Sequence, residues 1–142
     1  MSRPTLPPAE APGACLCGRV RYRATTARAR AIVCHCRDCQ RQSGSAFSVL
    51  LAMPATDLAI DGALSTFDST AASGRVVSRR FCAHCGTPVL SVSPGRPGVV
   101  ALKAGTLDDP AWLVPRLHLW CASAQPWVPL PADVPCHPEQ PA

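Results

Sequence analysis

The sequence predicts a mainly β fold, with antiparallel β sheets, zinc-ribbon-like knuckles and very little helix. Three observations carry that prediction. Short apolar or alternating segments, about eight of them, recur between turn residues. No stretch keeps the 3.6-residue apolar period of a long amphipathic helix. Cysteines cluster where such segments end, and the order of segment, Cys82-Ala83-His84-Cys85 turn and second segment is that of a zinc knuckle.

In chain order, residues 1–12 carry Pro4, Pro7, Pro8 and Pro12 and read as a disordered proline-rich tail. Gly13 and Ala14 lead into Cys15 and Cys17. Between Gly18 and Ala24, Val20, Tyr22 and Ala24 alternate with Arg19, Arg21 and Arg23, the period of a half-buried strand with a solvated arginine face. Ala31 to Val33 is a short strand that delivers the chain to Cys34. Gln40 to Ser43 forms one helical turn stopped by Gly44. Ser48 to Met53 is a strand closed by Pro54. Leu58–Ile60 and Leu64–Phe67 flank Asp61-Gly62, a hairpin signal. Arg75–Phe81 and Val89–Val92 flank the Cys82/Cys85 turn, in which Gly86 supplies a positive φ. Strands are also expected at Val99–Lys103 and Leu117–Trp120, with a turn at Gly105–Pro110. The folded domain is expected over residues 13–128, with residues 129–142 as a second proline-rich tail.

The chain has 142 residues, which suits one domain large enough to build a core without staples. Its nine cysteines are odd in number and too tightly spaced for a disulfide ladder. No apolar run approaches the ~18 residues of a membrane span, and residues 1–13 hold no continuous apolar stretch of a secretion signal. A reducing, cytoplasmic setting with thiols kept for metal is therefore expected, with no membrane partner. The formal charge is +5, carried by arginines scattered along the chain without a basic-aromatic stripe, so no nucleic-acid partner is expected. Seven thiolates would subtract seven charges and two divalent ions would return four, leaving about +2.

The cysteines divide by spacing. Cys15, Cys17, Cys82 and Cys85 form two distant pairs, the donor set of a closed tetrahedral zinc site whose role is folding. Cys34, Cys36 and Cys39 supply three thiolates. A zinc there would be completed by water or a substrate thiol, or by His35, His84, His118 or Cys121. An open fourth position would suit an incoming thiol, because zinc holds a thiol as the nucleophilic thiolate. A filled one would make a second structural site, and the alternative reading of the chain is then a non-catalytic zinc-binding module for a protein or nucleic-acid partner. His35 lies between two ligands, so its side chain is expected to point away from their metal.

Three stretches resemble the glutathione-dependent formaldehyde-activating enzyme family, which shares its domain with centromere protein V. They are Cys15-Leu-Cys-Gly-Arg-Val-Arg-Tyr22, Cys34-His-Cys-Arg-Asp-Cys-Gln-Arg-Gln-Ser-Gly-Ser-Ala-Phe47 and Phe81-Cys-Ala-His-Cys-Gly-Thr87. Gly105–Pro110, His118-Leu-Trp120 and Pro126-Trp127 are similar to its C-terminal part, so the resemblance spans about residues 13–128. It implies a structural zinc at Cys15, Cys17, Cys82 and Cys85. It also implies a more labile zinc at Cys34, Cys36 and Cys39, the residues to which catalysis is assigned. The implied reaction is addition of glutathione to formaldehyde to give S-hydroxymethylglutathione, classed with carbon–sulfur lyases. Arg37 and Arg41 flank the central cluster. They would bind the glutathione carboxylates or balance the net charge of a zinc tris-thiolate. Of Arg79 and Arg80, alternation places only one inward. Ser43 and Ser45 would position substrate or simply make the turn, and Trp120 and Trp127 would wall a pocket or pack in the core. His118 would shuttle a proton or sit satisfied in the core. Asp108 and Asp109 would cap the turn before Pro110. Cys121 departs from the family pattern as a thiol that could compete for the open zinc. Cys136 and His137 fall in the tail.

Overall fold

The computed structural model describes residues 5–140. It is mainly β, with ten strands and one α-helix among the described residues: β1 (Glu10–Ala14), β2 (Arg21–Thr25), β3 (Arg30–Cys34), α1 (Arg37–Ser43), β4 (Ser48–Pro54), β5 (Leu58–Asp61), β6 (Leu64–Thr70), β7 (Val76–Cys82), β8 (Pro88–Val92), β9 (Val99–Lys103) and β10 (Leu117–Leu119). Seven strands form one sheet in the order β10-β3-β4-β9-β8-β7-β6, and β1-β2-β5 form a second. Pairing is antiparallel except between β10 and β3, which run parallel.

The period-two patterns set the layers. Along β4, Leu51 and Met53 face the core, while Ser48, Leu50 and Ala52 face the other way. Along β9, Val100 and Leu102 are buried in that core, while Ala101 and Lys103 line the opposite face. The small sheet contributes Ala11, Val20, Tyr22 and Ala24 to the same core, which also holds Trp112. Leu51, Met53, Leu102, Val20, Val89 and Cys82 have almost no exposed surface.

Four expectations are revised. Strand β1 begins at Glu10, inside the stretch expected as a tail. Its backbone pairs with β2, and Pro12, which can donate no hydrogen bond, still accepts one from Asp108 N–H. Of that expected tail, residues 1–4 lie outside the described residues. Asp61-Gly62 is not a hairpin turn: β5 pairs with β2 and β6 with β7, so the chain crosses between sheets there. Gly62 has φ 114°, and a Cβ at this position would overlap the Arg19 carbonyl oxygen and lie 2.8 Å from Val20 Cα. Glycine is needed for that close crossing rather than for a two-residue hairpin. The helix begins at Arg37 rather than Gln40, because Cys36 caps it. Finally, residues 135–138, expected in the C-terminal tail, dock beside β10. His118 N–H donates to Pro135, His137 N–H to His118, and Cys121 N–H to His137. Of that expected tail, residues 141 and 142 lie outside the described residues.

Gly13 is tightly enclosed: a Cβ there would overlap the Tyr22 ring, whose hydroxyl is 2.8 Å from Thr106 Oγ1, and would press on the Thr106 carbonyl. Gly13→Ala is therefore expected to lower the unfolding free energy by about 1–3 kcal/mol through overpacking. Urea denaturation with an unchanged m-value would measure it.

Candidate metal centres

Strand ends and turns bring the seven cysteines to two separate points. At the first, the Sγ atoms of Cys15, Cys17, Cys82 and Cys85 all lie within 4.8 Å of one another. Cys15–Cys17 is 3.6 Å and Cys17–Cys82 is 3.8 Å. Four sulfurs at ~2.3 Å from a zinc ion would stand about 3.8 Å apart, so the set fits a tetrahedral ion without rearrangement. The local backbone explains the convergence. In each pair, a glycine one residue after the second cysteine turns the chain back, with φ 79° at Gly18 and 78° at Gly86, as expected for Gly86. Gly86 N–H donates to the Cys82 carbonyl and Gly18 N–H to that of Cys15. Backbone N–H groups also face the sulfurs: Val20 to Cys15 at 3.3 Å, His84 and Cys85 to Cys82 at 3.4 Å each. Thr87, which the sequence reading did not single out, ties the two knuckles together. Its hydroxyl accepts from Leu16 N–H at 3.1 Å and lies 3.2 Å from Cys85 Sγ. Hydrogen bonds from the Thr87 side chain and backbone pull the Cys85 thiol down to about 5.

At the second point, the Sγ atoms of Cys34, Cys36 and Cys39 lie within 4.8 Å of one another. Cys34 ends β3. Cys36 is the N-cap of α1, its sulfur accepting Cys39 N–H at 3.3 Å, and Cys39 sits in the first helical turn. Gly44, at φ 64°, closes the helix by donating to Arg41 and Gln40 carbonyls. Among the described residues, no fourth Cys, His, Asp or Glu ligand atom joins this group. Hydrogen bonds from Cys34 and Cys39 lower the Cys36 thiol to about 2, and the bond to Cys36 pushes the Cys34 thiol far upward. Without a cation, the three sulfurs do not share negative charge, and a metal ion removes that conflict.

The candidates for a fourth ligand are placed elsewhere. His35, fully buried, turns away from the sulfurs as expected, and its Nε2 lies 2.9 Å from His118 Nδ1. Burial lowers both imidazole pKa values, so the pair is held neutral in the core. Cys121 neighbours Cys136, and its thiol rises to about 11 through burial and that neighbour. His84 is exposed on the Cys82–Cys85 turn.

The three-sulfur group opens into a cleft of about 410 Å³ across the face of the large sheet. Arg37 lines the cleft, as do Arg79, Lys103 and Trp120; Arg41 is exposed and does not. Arg79 is the inward member of its pair, bonded to Ser69 and 3.9 Å from Asp38, while Arg80 is exposed. Trp120, at φ 58°, forms part of the wall, whereas Trp127 is 73% exposed and does neither of the things expected of it. Ser43 bonds back to the Cys39 carbonyl at 2.7 Å, a turn role, and Ser45 is exposed. Asp109 caps its turn through Ala111 N–H. Two important residues were not legible in advance. Gln40 is buried and bonds to the His35 and Ser123 carbonyls, fixing α1 against β3 and the segment after β10. Lys103, the single lysine of the chain, lies in the cleft floor. The signal for Lys103 was its place in an otherwise apolar β9.

Fold and site together define a β-sheet protein with two cysteine groups fit to hold metal, one closed by four sulfurs and one with three sulfurs open to a cleft. The model of the glutathione-dependent formaldehyde-activating enzyme family matches residues 10–123, and the chain belongs to that family. A crystal structure of a Rhodobacter sphaeroides protein shares the fold, at 22% identity and a TM-score of 0.53, over 74% of this chain and 92% of that one. No curated protein matches the sequence. No helix among the described residues is long and apolar enough to cross a membrane.

Proposed function

We propose that the protein is a zinc-dependent carbon–sulfur lyase-type enzyme that adds glutathione, or a related thiol, to formaldehyde. The observation that carries this reading is the three-sulfur group, which faces a cleft and has no fourth protein ligand among the described residues. Family membership supports the substrate pair. Zinc fits both groups by donor chemistry. The four-sulfur ion is structural, and the three-sulfur ion is the exchangeable one. When bound there, zinc would supply an incoming thiol as thiolate at neutral pH.

The chain's own residues do the rest. Arg37 and Arg79 line the cleft near the sulfurs, and Arg75 and Arg96 line it farther along the sheet. Against them, Asp38 is the only carboxylate among the lining residues. That excess of guanidinium suits a thiol carrying carboxylates. Of the two arginines singled out from the sequence, Arg37 is the one we assign to a substrate carboxylate. Leu50, Leu119 and Trp120 give the cleft an apolar wall beside the three sulfurs. Nine unpaired thiols suit a reducing cytoplasm.

Magnetisation exchange between free formaldehyde hydrate and S-hydroxymethylglutathione, measured by NMR, tests the activity. Zinc-loaded protein is expected to speed the exchange above the spontaneous rate in proportion to its concentration. Glutathione binding without acceleration would reduce the protein to a thiol-binding zinc module.

A further inference from the structure

Lys103 is 8% exposed, yet it forms no ion pair with a carboxylate among the described residues. Its Nζ donates to Ser48 Oγ at 2.9 Å, and both side chains are buried. Ser48 stands directly across from Cys34 in the β3–β4 ladder, and Lys103 is paired with Leu50, two residues along on the same face. The ammonium group is thus held about one strand spacing from the three-sulfur group, on the side that opens to the cleft. An ammonium has three N–H donors, and Ser48 is the one protein acceptor found for them among the described residues. Burying such a cation is costly, and a methionine would cover the same sheet face without that penalty. Arg79, the other buried cation of the cleft, is already engaged with Ser69 and Asp38.

We infer that Lys103 is an oxyanion-binding residue, which holds a negatively charged oxygen on a carbon close to the sulfur of a thiol docked at Cys34, Cys36 and Cys39. The chemical class it selects is the thiol with a nearby anionic oxygen: the alkoxide of a thiol–aldehyde adduct, or a short mercapto-carboxylate. In adduct formation, the thiolate sulfur forms a bond to the carbonyl carbon and the C=O π pair moves onto oxygen. That oxygen becomes the alkoxide that Lys103 faces, and the proton shed by the thiol returns to it to complete the adduct. A preformed cation at the place where charge develops is the arrangement that stabilises such a transition state. The inference rests on the proposed function only in taking the three-sulfur group as the place where a thiol docks.

The test compares two probes of nearly equal shape, mercaptoacetate and its neutral amide 2-mercaptoacetamide, titrated into the zinc-loaded protein by calorimetry. Comparing the affinity ratio between wild type and variant cancels the intrinsic difference between the probes. Lys103→Met is expected to lower that ratio by about ten- to a hundredfold, the worth of one hydrogen bond between charged groups. Zinc content should stay at the wild-type value. Lys103→Gln, which keeps a donor toward Ser48 but loses the charge, provides the same comparison should the methionine variant not fold. An equal ratio in wild type and variant, or an equal loss for both probes accompanied by loss of zinc, would assign Lys103 to balancing the centre's own charge and overturn the inference. Formaldehyde exchange measured on the same samples separates the two ideas. A lost preference in a protein that never accelerates exchange leaves Lys103 in this role and removes the enzyme reading.

Discussion

Cys82→Ser is expected to leave the chain unfolded at 25 °C even with excess zinc, with the far-UV signature of a β protein lost and amide protection abolished. Cys82 ends β7 with 1% exposure, and its sulfur receives two backbone N–H groups besides facing Cys17. Its partners Cys15 and Cys17 follow β1, so the four sulfurs tie the small sheet to the β7–β8 end of the large one. Metal binding at such structural sites is worth about 10–16 kcal/mol in zinc-finger peptides, while a whole domain of this size is stable by about 5–15 kcal/mol. Serine is a poor zinc ligand, and the buried hydroxyl would leave three thiolates with unbalanced charge. A strong chelator should act in the same direction on the wild-type protein. Lowering the pH should too, because protons compete with the ion for sulfur. A Cys82→Ser protein that melts within a few degrees of wild type would show that this site does not build the fold.

Cys36→Ser should behave in the opposite way: bound zinc falls from two ions per chain to one, catalysis of adduct exchange is lost, and the melting temperature changes little. Cys36 is half-buried at the cleft edge, and its structural duty is to cap α1 by accepting Cys39 N–H. Serine ranks among the best N-cap residues, so the helix keeps its start while the centre loses a thiolate. Helix α1 is fixed independently through Gln40, whose bonds to the His35 and Ser123 carbonyls do not involve the sulfurs. Metal analysis by mass spectrometry under native conditions, paired with a thermal melt, reads both quantities. Loss of both ions, or global unfolding, would merge the two centres into a single structural unit.

Several features could be read from the chain because they are local. Alternating residues marked β2, short apolar or β-rich segments between turn residues marked β4, β7 and β9, and glycine after a cysteine pair marked the turn at Gly86, with its positive φ. Cysteine spacing sorted seven thiols into four and three, the grouping that the folded chain brings together. Other features were hidden because they depend on partners distant in sequence. Asp61-Gly62 has the composition of a hairpin turn, but its flanking strands find partners in different sheets. Proline content suggested loose tails, yet residues 10–12 pair with β2 and residues 135–138 dock on β10, both through backbone groups that composition does not report. Trp127 and Trp120 looked equivalent, and one is exposed while the other walls the cleft.

The sequence alone determined the donor chemistry and its division, since ligand type and short spacing are properties of a few neighbouring residues. It also determined that the fold would be built from short strands. Tertiary structure decided that the three-sulfur group has a cleft in front of it and no fourth protein ligand beside it among the described residues. It also decided that His35 and His118 would bond to each other, and that Lys103 would be a buried cation lining the cleft. Those outcomes depend on strand order and register, which place β9 beside β4 and β10 beside β3. A one-residue slip in register would have turned Lys103 into the core and Leu102 toward the cysteines.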